Sequence, residues 1–247
     1  MSESMIAILI FGAVITLIFL IIRTARKQTE QSRQLRQRLG FSPVEPVDPG
    51  LVEKITAIVS PKNEKALVSK VYKRDYGSYI LYYCHIKSSR NSDSANPSSV
   101  IVGQGWQFPS IRISPVLGGA GKAWNLLNRF ALLAVKHGGF EEIDLTDQPE
   151  FSRKYHVLSR SSRAGLQAVP GDVWRDLAAL PKQVFLQAEG DTVIFFTMET
   201  LTKRRKGDYE TRESEHLKRS IDTAARLASV FNGCRTGNVH ESMLRQG

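Results

Sequence analysis

The stretch KALVSKVYKRDYGSYILYYCHI, Lys65 to Ile86, decides the fold class. Val68, Val71 and Tyr72 lead into Asp75-Tyr-Gly-Ser, a turn signal, and a β-rich run follows from Tyr79 to Ile86. The pattern predicts a β-hairpin. In its second arm Ile80, Tyr82, Cys84 and Ile86 share one parity, while Tyr79, Leu81 and Tyr83 share the other. Both sets are apolar, so the strand is predicted to be covered on both faces.

Downstream, Ser88 to Ser99 reads as a loop, and Val100 to Val102 and Phe108 to Ile113 read as short strands. Lys122 to His137 is predicted as a helix, striped by Ala123, Leu127, Phe130, Ala131 and Ala134 and stopped by Gly138 and Gly139. A strand from Phe140 to Leu145 carries an acidic cluster, Glu141, Glu142 and Asp144, with Asp147 beyond it. Phe151 to Leu158 alternates through Phe151, Tyr155 and Val157 and reads as another strand. Arg153 has the same parity and is expected to reach one of the carboxylates.

Two short helical pieces follow, Ser161 to Ala168 and Gly171 to Leu180, divided by Pro170. A second hairpin joins Val184–Ala188 to Val193–Met198 around Glu189-Gly-Asp191. The last helix is predicted from Tyr209 to Phe231, with Leu217, Ile221, Ala224, Ala228 and Phe231 as its buried seam and Asn232-Gly233 as its stop. The fold class is therefore α+β, with a largely antiparallel sheet, packed helices and a C-terminal helix.

Upstream, Asp48 and Pro49 cap and start a helix through about Ser60. Before it, Pro43, Pro46 and Pro49 stiffen a linker. Met5 to Ile22, MIAILIFGAVITLIFLII, carries no charge, and its eighteen residues make a helix of roughly 27 Å, close to the hydrocarbon thickness of a bilayer. Its leader, Met-Ser-Glu-Ser, has no basic residue, and Arg-Thr-Ala-Arg-Lys follows in place of a small-residue cleavage site. The run is thus expected to stay as a transmembrane anchor.

Arg23, Arg26, Lys27, Arg33, Arg36 and Arg38 are opposed only by Glu30, on a stalk predicted to be helical and solvated up to Gly40. Basic residues beside a span stay inside, which places residues 1–4 outside and the C-terminal bulk in the cytoplasm of a bacterial inner membrane. The expected organisation is a tail over 1–4, a span over 5–22 and a stalk and linker over 23–50. A domain over 51–234 follows, single or divided into 51–115 and 116–234, and then a flexible tail over 235–247.

The chain of 247 residues has a net charge of +10 and two cysteines, Cys84 and Cys234. Both are expected to be free thiols. The basic density peaks beside the span, where each Lys or Arg gains about 1 kcal/mol from anionic headgroups. The six stalk residues are accordingly the predicted anionic-lipid contacts, and Lys203, Arg204, Arg205 and Lys206 form a candidate second basic patch. Nucleic acid is not an expected partner.

No motif fixes a chemistry. Leu117-Gly-Gly-Ala-Gly-Lys122-Ala123 lacks the glycine and the hydroxyl residue of a phosphate loop, with Val116 and Ala123 at those positions. Gly103-Gln-Gly105 continues into Phe108 where a dinucleotide loop needs glycine. His85, His137, His156, His216 and His240 keep no metal-ligand spacing. Cys84 and His85 alternate across a strand, which keeps the imidazole off the sulfur. No catalytic residue, metal ligand or cofactor is assigned.

The elements WQFPSIRISP, GFEEIDLTDQPEFSRKYHVLSR and VWRDLAALPKQVFLQAEGDTVIFF, closed by a helix, resemble a pattern in uncharacterised bacterial single-pass membrane proteins over about residues 105–231. The matching positions are Phe108-Pro109, Gly139 to Leu145, Asp147 to Tyr155 and Gly190-Asp191. The resemblance implies a shared fold and membrane association, and no catalytic residue. The expected function is a membrane-anchored interaction or scaffolding module with a protein partner, not an enzyme. A tethered hydrolase or transferase and a lipid-binding domain are the alternatives, and a pocket joining Glu141 or Asp144 to a histidine would favour the hydrolase or transferase.

Overall fold

The computed structural model describes residues 3–59, 66–87, 96–116, 139–160, 169–181, 184–197 and 209–232, with side chains at 3–14, 25, 28, 96, 197 and 209–213 excepted. The predicted helix Lys122–His137, the piece Ser161–Ala168, the basic turn Lys203–Lys206 and the tail from Arg235 lie outside the described residues. The chain divides into two compact units, Met1–Phe41 with Arg205–Lys218, and Ser42–Arg204 with Arg219–Gly247.

In the first unit, helix α1 runs unbroken from Glu3 to Arg38. It stops where the sequence places its stop. Gly40 takes φ 78°, a left-handed conformation that a side chain would strain. Gly40 N–H then donates to Gln37 O and Phe41 N–H to Arg36 O, each at 2.9 Å, which satisfies the last free carbonyls. Ile15, Leu17, Ile18, Phe19, Leu20, Ile21 and Ile22 are each exposed by 47–62%, on every side of the helix. Among the residues whose side chains are described, no helix is long and apolar enough to cross a membrane. Those residues include only the last eight of the apolar run.

The stalk differs from its expected solvated state. Ser32 and Arg36, one turn apart, are both buried, and Gln31, Leu35 and Leu39 beside them are half-buried. This face is of mixed polarity, so hydropathy alone does not mark it. The start of α5 (Tyr209–Phe231) belongs to the same unit, with Leu217 fully buried.

The second unit is built on one nine-stranded sheet, whose strands are β1 Ser42–Pro43, β2 Leu67–Asp75, β3 Tyr79–Lys87, β4 Asn96–Gly103, β5 Phe108–Pro115, β6 Glu141–Ile143, β7 Tyr155–Ser159, β8 Val184–Gly190 and β9 Thr192–Thr197. Their spatial order is β1-β2-β3-β4-β9-β8-β5-β7-β6, and every pairing is antiparallel. The α+β class holds. Both predicted hairpins form, β2–β3 over Gly77 at φ 78° and β8–β9 over Gly190 at φ 60°. Strand β4 starts inside the predicted loop, because Asn96 and Pro97 pair with Ile86 and His85.

Helix α2, Pro49–Val59, opens as predicted, with Gly50 N–H donating to Asp48 Oδ1 at 2.9 Å. Leu51, Ile55 and Ile58 line its buried side and pack with Val71, Cys84, Ile86, Val100 and Ile194. Each such aliphatic side chain contributes about 1.5–3 kcal/mol by leaving water. Lys54 Nζ meets Asp191 Oδ2 at 2.7 Å and ties α2 to the β8–β9 turn. On the opposite parity Leu81, Ile101, Val193 and Phe195 are also buried, so β3 is covered on both faces.

From Arg219 on, α5 belongs to this unit, and Ser220, Ala224, Leu227, Ala228 and Phe231 are buried. Ile221, predicted in the seam, is half-buried instead. Phe231 packs edge-on against Trp106 at 5.7 Å and Phe108 at 4.8 Å between centroids.

The predicted strand at Phe151 is corrected. Pro149 opens a one-turn helix, α3 Pro149–Ser152, whose fixed proline φ favours a first helical turn, and β7 begins only at Tyr155. Arg153 follows that helix and is exposed, so strand parity does not carry it to a carboxylate. Helix α4, Gly171–Ala178, follows Pro170 as predicted and buries Val173, Trp174 and Leu177. Phe151 is stacked on Tyr155 and edge-on to Trp174, both at 5.1 Å, while Lys154 Nζ donates to Ala178 O at 2.6 Å at the end of α4.

Candidate functional site

At the outer end of the sheet, β6 pairs with β7 through Glu141↔Ser159, Glu142↔Leu158 and Ile143↔Val157. The ladder sets Glu142 and His156, fourteen residues apart in sequence, on one face as diagonal neighbours. His156 Nδ1 lies 3.2 Å from Glu142 Oε1. A carboxylate accepts, so Nδ1–H is the donor of this pair, and a ring in that tautomer has Nε2 as its basic nitrogen.

The pair stands in a cleft of about 830 Å³ between β6 and the α3–β7 turn. Its apolar lining residues, Phe140, Leu145, Phe151, Tyr155 and Val157, are almost wholly buried, so polar groups make up much of its open surface. Glu141, Glu142 and Asp144 are exposed at its rim. The two hydroxyls nearby are engaged: Ser152 Oγ donates to Leu145 O at 2.8 Å, and Tyr155 Oη accepts from Val184 N–H at 3.4 Å. Burial pushes the Tyr155 hydroxyl above its ordinary pKa, against the lowering effect of that N–H.

Behind this lining, the guanidinium of Arg112 sits 4.2 Å and that of Arg160 4.6 Å from the centre of the Phe140 ring. Arg112 Nη2 donates to Ile58 O in the last turn of α2 at 3.1 Å. Burial, then the charge of Arg160, lowers the Arg112 pKa, while Glu189 opposes the shift. These two arginines hold Phe140 in place and carry no assigned chemistry.

The other sequence candidates fall elsewhere. Arg23, Arg26, Lys27, Arg33 and Arg38 are exposed on α1, as lipid contacts must be, but Arg36 is buried to 6% exposure, which withdraws it from that set. Cys84 is fully buried in the α2 cluster, and burial pushes its thiol up to about 12, so no thiolate forms near neutral pH. The Gly103 backbone lies under the Trp106 ring, which makes this glycine a packing residue. Among the described residues no group of three His, Cys, Asp or Glu side chains is placed to hold a metal ion.

Glu142 and His156 are both visible in the sequence, but nothing local to either joins them. The β6–β7 register was the missing signal. Comparison of the chain with protein families, with curated proteins and with solved structures finds no match. The resemblance to bacterial membrane proteins rests on the quoted residues alone.

Proposed function

We propose that the chain is a membrane-anchored interaction module of the bacterial inner membrane, with Met5–Ile22 in the lipid and the sheet domain on the cytoplasmic side, binding a protein partner through the β6 cleft. The observation that carries the anchor is the exposure of Ile15–Ile22 around the whole helix. A helix apolar on every side is stable where hydrocarbon covers it, and in water it would expose a patch that soluble proteins rarely keep. The exposed Arg23, Arg26 and Lys27 then stand at headgroup level and fix the orientation.

A second reading has its own support. His156 with Glu142 in a cleft of mixed polarity is an acid–base pair, as a tethered hydrolase or transferase would need. The binding reading leads because no hydroxyl or thiol among the described residues stands free beside Nε2 as a nucleophile. Affinity capture from detergent-solubilised membranes, with the full chain and a Glu142→Gln, His156→Ala variant as baits, tests the choice. A companion held by the full chain and lost by the variant supports the module. Recovery of the bait alone from both overturns it.

A further inference from the structure

The two ends of the sheet differ in charge. From Pro61 to Arg90, the stretch that contains β2 and β3, the chain holds seven basic and two acidic residues, a net +5. Residues 139–152, which contain β6, hold five carboxylates and no Lys, Arg or His. Strands β2 and β6 lie seven steps apart in the strand order, about 34 Å along the sheet at the usual spacing. A domain so polarised turns its basic end toward an anionic surface.

The basic end is also where the chain enters the sheet. Strand β1, three residues beyond α1, pairs with β2 at Tyr72 and Lys73, and its register stops short of Leu67–Lys70. Leu67 is 60% exposed, the only large apolar side chain exposed outside α1 among the described residues. It stands opposite the half-buried Lys87. Three residues on, Lys70 is exposed at φ 51° in the bulge between Ser69 and Tyr72, and a bulge re-aims the side chain it carries.

An aliphatic side chain flanked by lysines suits a bilayer surface, where the apolar tip enters the headgroup layer and the ammonium groups meet lipid phosphates. We infer that this corner of the sheet, with Leu67, Lys70 and Lys87, docks on the anionic headgroups of the bilayer that holds α1. The inference rests on the anchor reading and adds the orientation of the domain, β2 against lipid and β6 with its cleft turned to the cytoplasm. An acidic protein would also attract lysines. The stalk Arg23–Arg38, about 24 Å long, keeps the bilayer tethered to this edge, and tethering outweighs a free competitor through effective concentration. Headgroup charge is screened within about 8 Å at physiological salt, so the contact weakens as salt rises.

The test uses the full chain with Cys234→Ser, so that, with Cys84 buried, a fluorophore at Ser69→Cys or at Asp144→Cys is the one accessible label. The chain is reconstituted into vesicles of phosphatidylcholine and phosphatidylserine that carry a nitroxide-headgroup lipid. The Ser69 label is quenched at least about twofold more than the Asp144 label. That quenching falls by about half or more when phosphatidylserine is omitted, when salt is raised, or when Lys70→Gln and Lys87→Gln are combined. Leu67→Gln lowers it as well. Equal quenching of the two labels, or quenching at Ser69 that ignores phosphatidylserine and the lysine substitutions, overturns the inference. Carbonate washing of the same vesicles reads the anchor separately: a retained chain with Ser69 unquenched fails the docking alone, and a stripped chain fails the anchor on which docking rests.

Discussion

Replacing Gly103 by alanine tests the packing that seats α5 on the sheet. A Cβ there would stand 2.0, 2.3 and 2.4 Å from Trp106 Cδ2, Cε3 and Cε2. Carbon atoms settle at about 3.5–4.0 Å, so the indole must retreat by roughly 1.5 Å or more. It has nowhere to go. Trp106 is 1% exposed, and Phe108 and Phe231 stand edge-on to it at 5.6 and 5.7 Å.

The ring leaves its slot, or the backbone moves and strains the Gly103 N–H to Asp191 O bond of 2.9 Å. Either route approaches the cost of deleting a buried aromatic, about 3–5 kcal/mol. For a chain of this size 3 kcal/mol lowers the melting temperature by roughly 6–12 °C. Scanning by near-ultraviolet circular dichroism, in native and Trp106→Ala backgrounds, completes a cycle. With the indole removed, Gly103→Ala costs under about 1 kcal/mol. A loss of less than about 2 °C in the native background, or the same loss in both, would refute the clash.

Cys84, fully buried with its thiol pushed up to about 12, resists alkylation in the folded protein and reacts only on unfolding; labelling within minutes at pH 8, read by mass spectrometry, would contradict its burial. Burial raises the pKa of Tyr76, Tyr79, Tyr82 and Tyr155, so their contribution to stability is complete below the unfolded tyrosine value of about 10 and is lost as pH rises through the folded values. Denaturant midpoints across pH 8–12 follow that decline, and a midpoint rising above pH 10 would be the contrary result. Glu142→Gln shifts stability by under about 1 kcal/mol, since its pair with His156 is partly solvated; a larger loss in urea would assign the pair a structural role.

Local chemistry made much of the fold legible. Asp48-Pro49 at the start of α2, Asp75-Tyr-Gly-Ser and Glu189-Gly-Asp191 at the hairpins and Gly40 after α1 each act within a few residues, and each forms the element read from it. Errors arose where tertiary neighbours decide. Phe151 fits a strand by parity, yet Pro149 starts a helical turn that the Phe151 ring, stacked on Tyr155 and edge-on to Trp174, retains. Ser32, Arg36 and Ser220 are buried and Ile221 only half so, because a helix face is chosen by what covers it more than by its hydropathy.

The site was half legible. The carboxylates of the Phe140–Leu145 strand stood out in the sequence, while their histidine partner became visible only through the β6–β7 register, which is a long-range property.

Carbonate extraction of membranes from cells expressing the full chain tests the anchor most directly. Alkaline carbonate strips proteins held by charge and leaves those whose helices lie in hydrocarbon. The account predicts the chain in the membrane pellet, and its release to the supernatant when Ile15, Ile18, Phe19 and Ile22 are replaced by glutamine. An intact native chain recovered in the supernatant would contradict it.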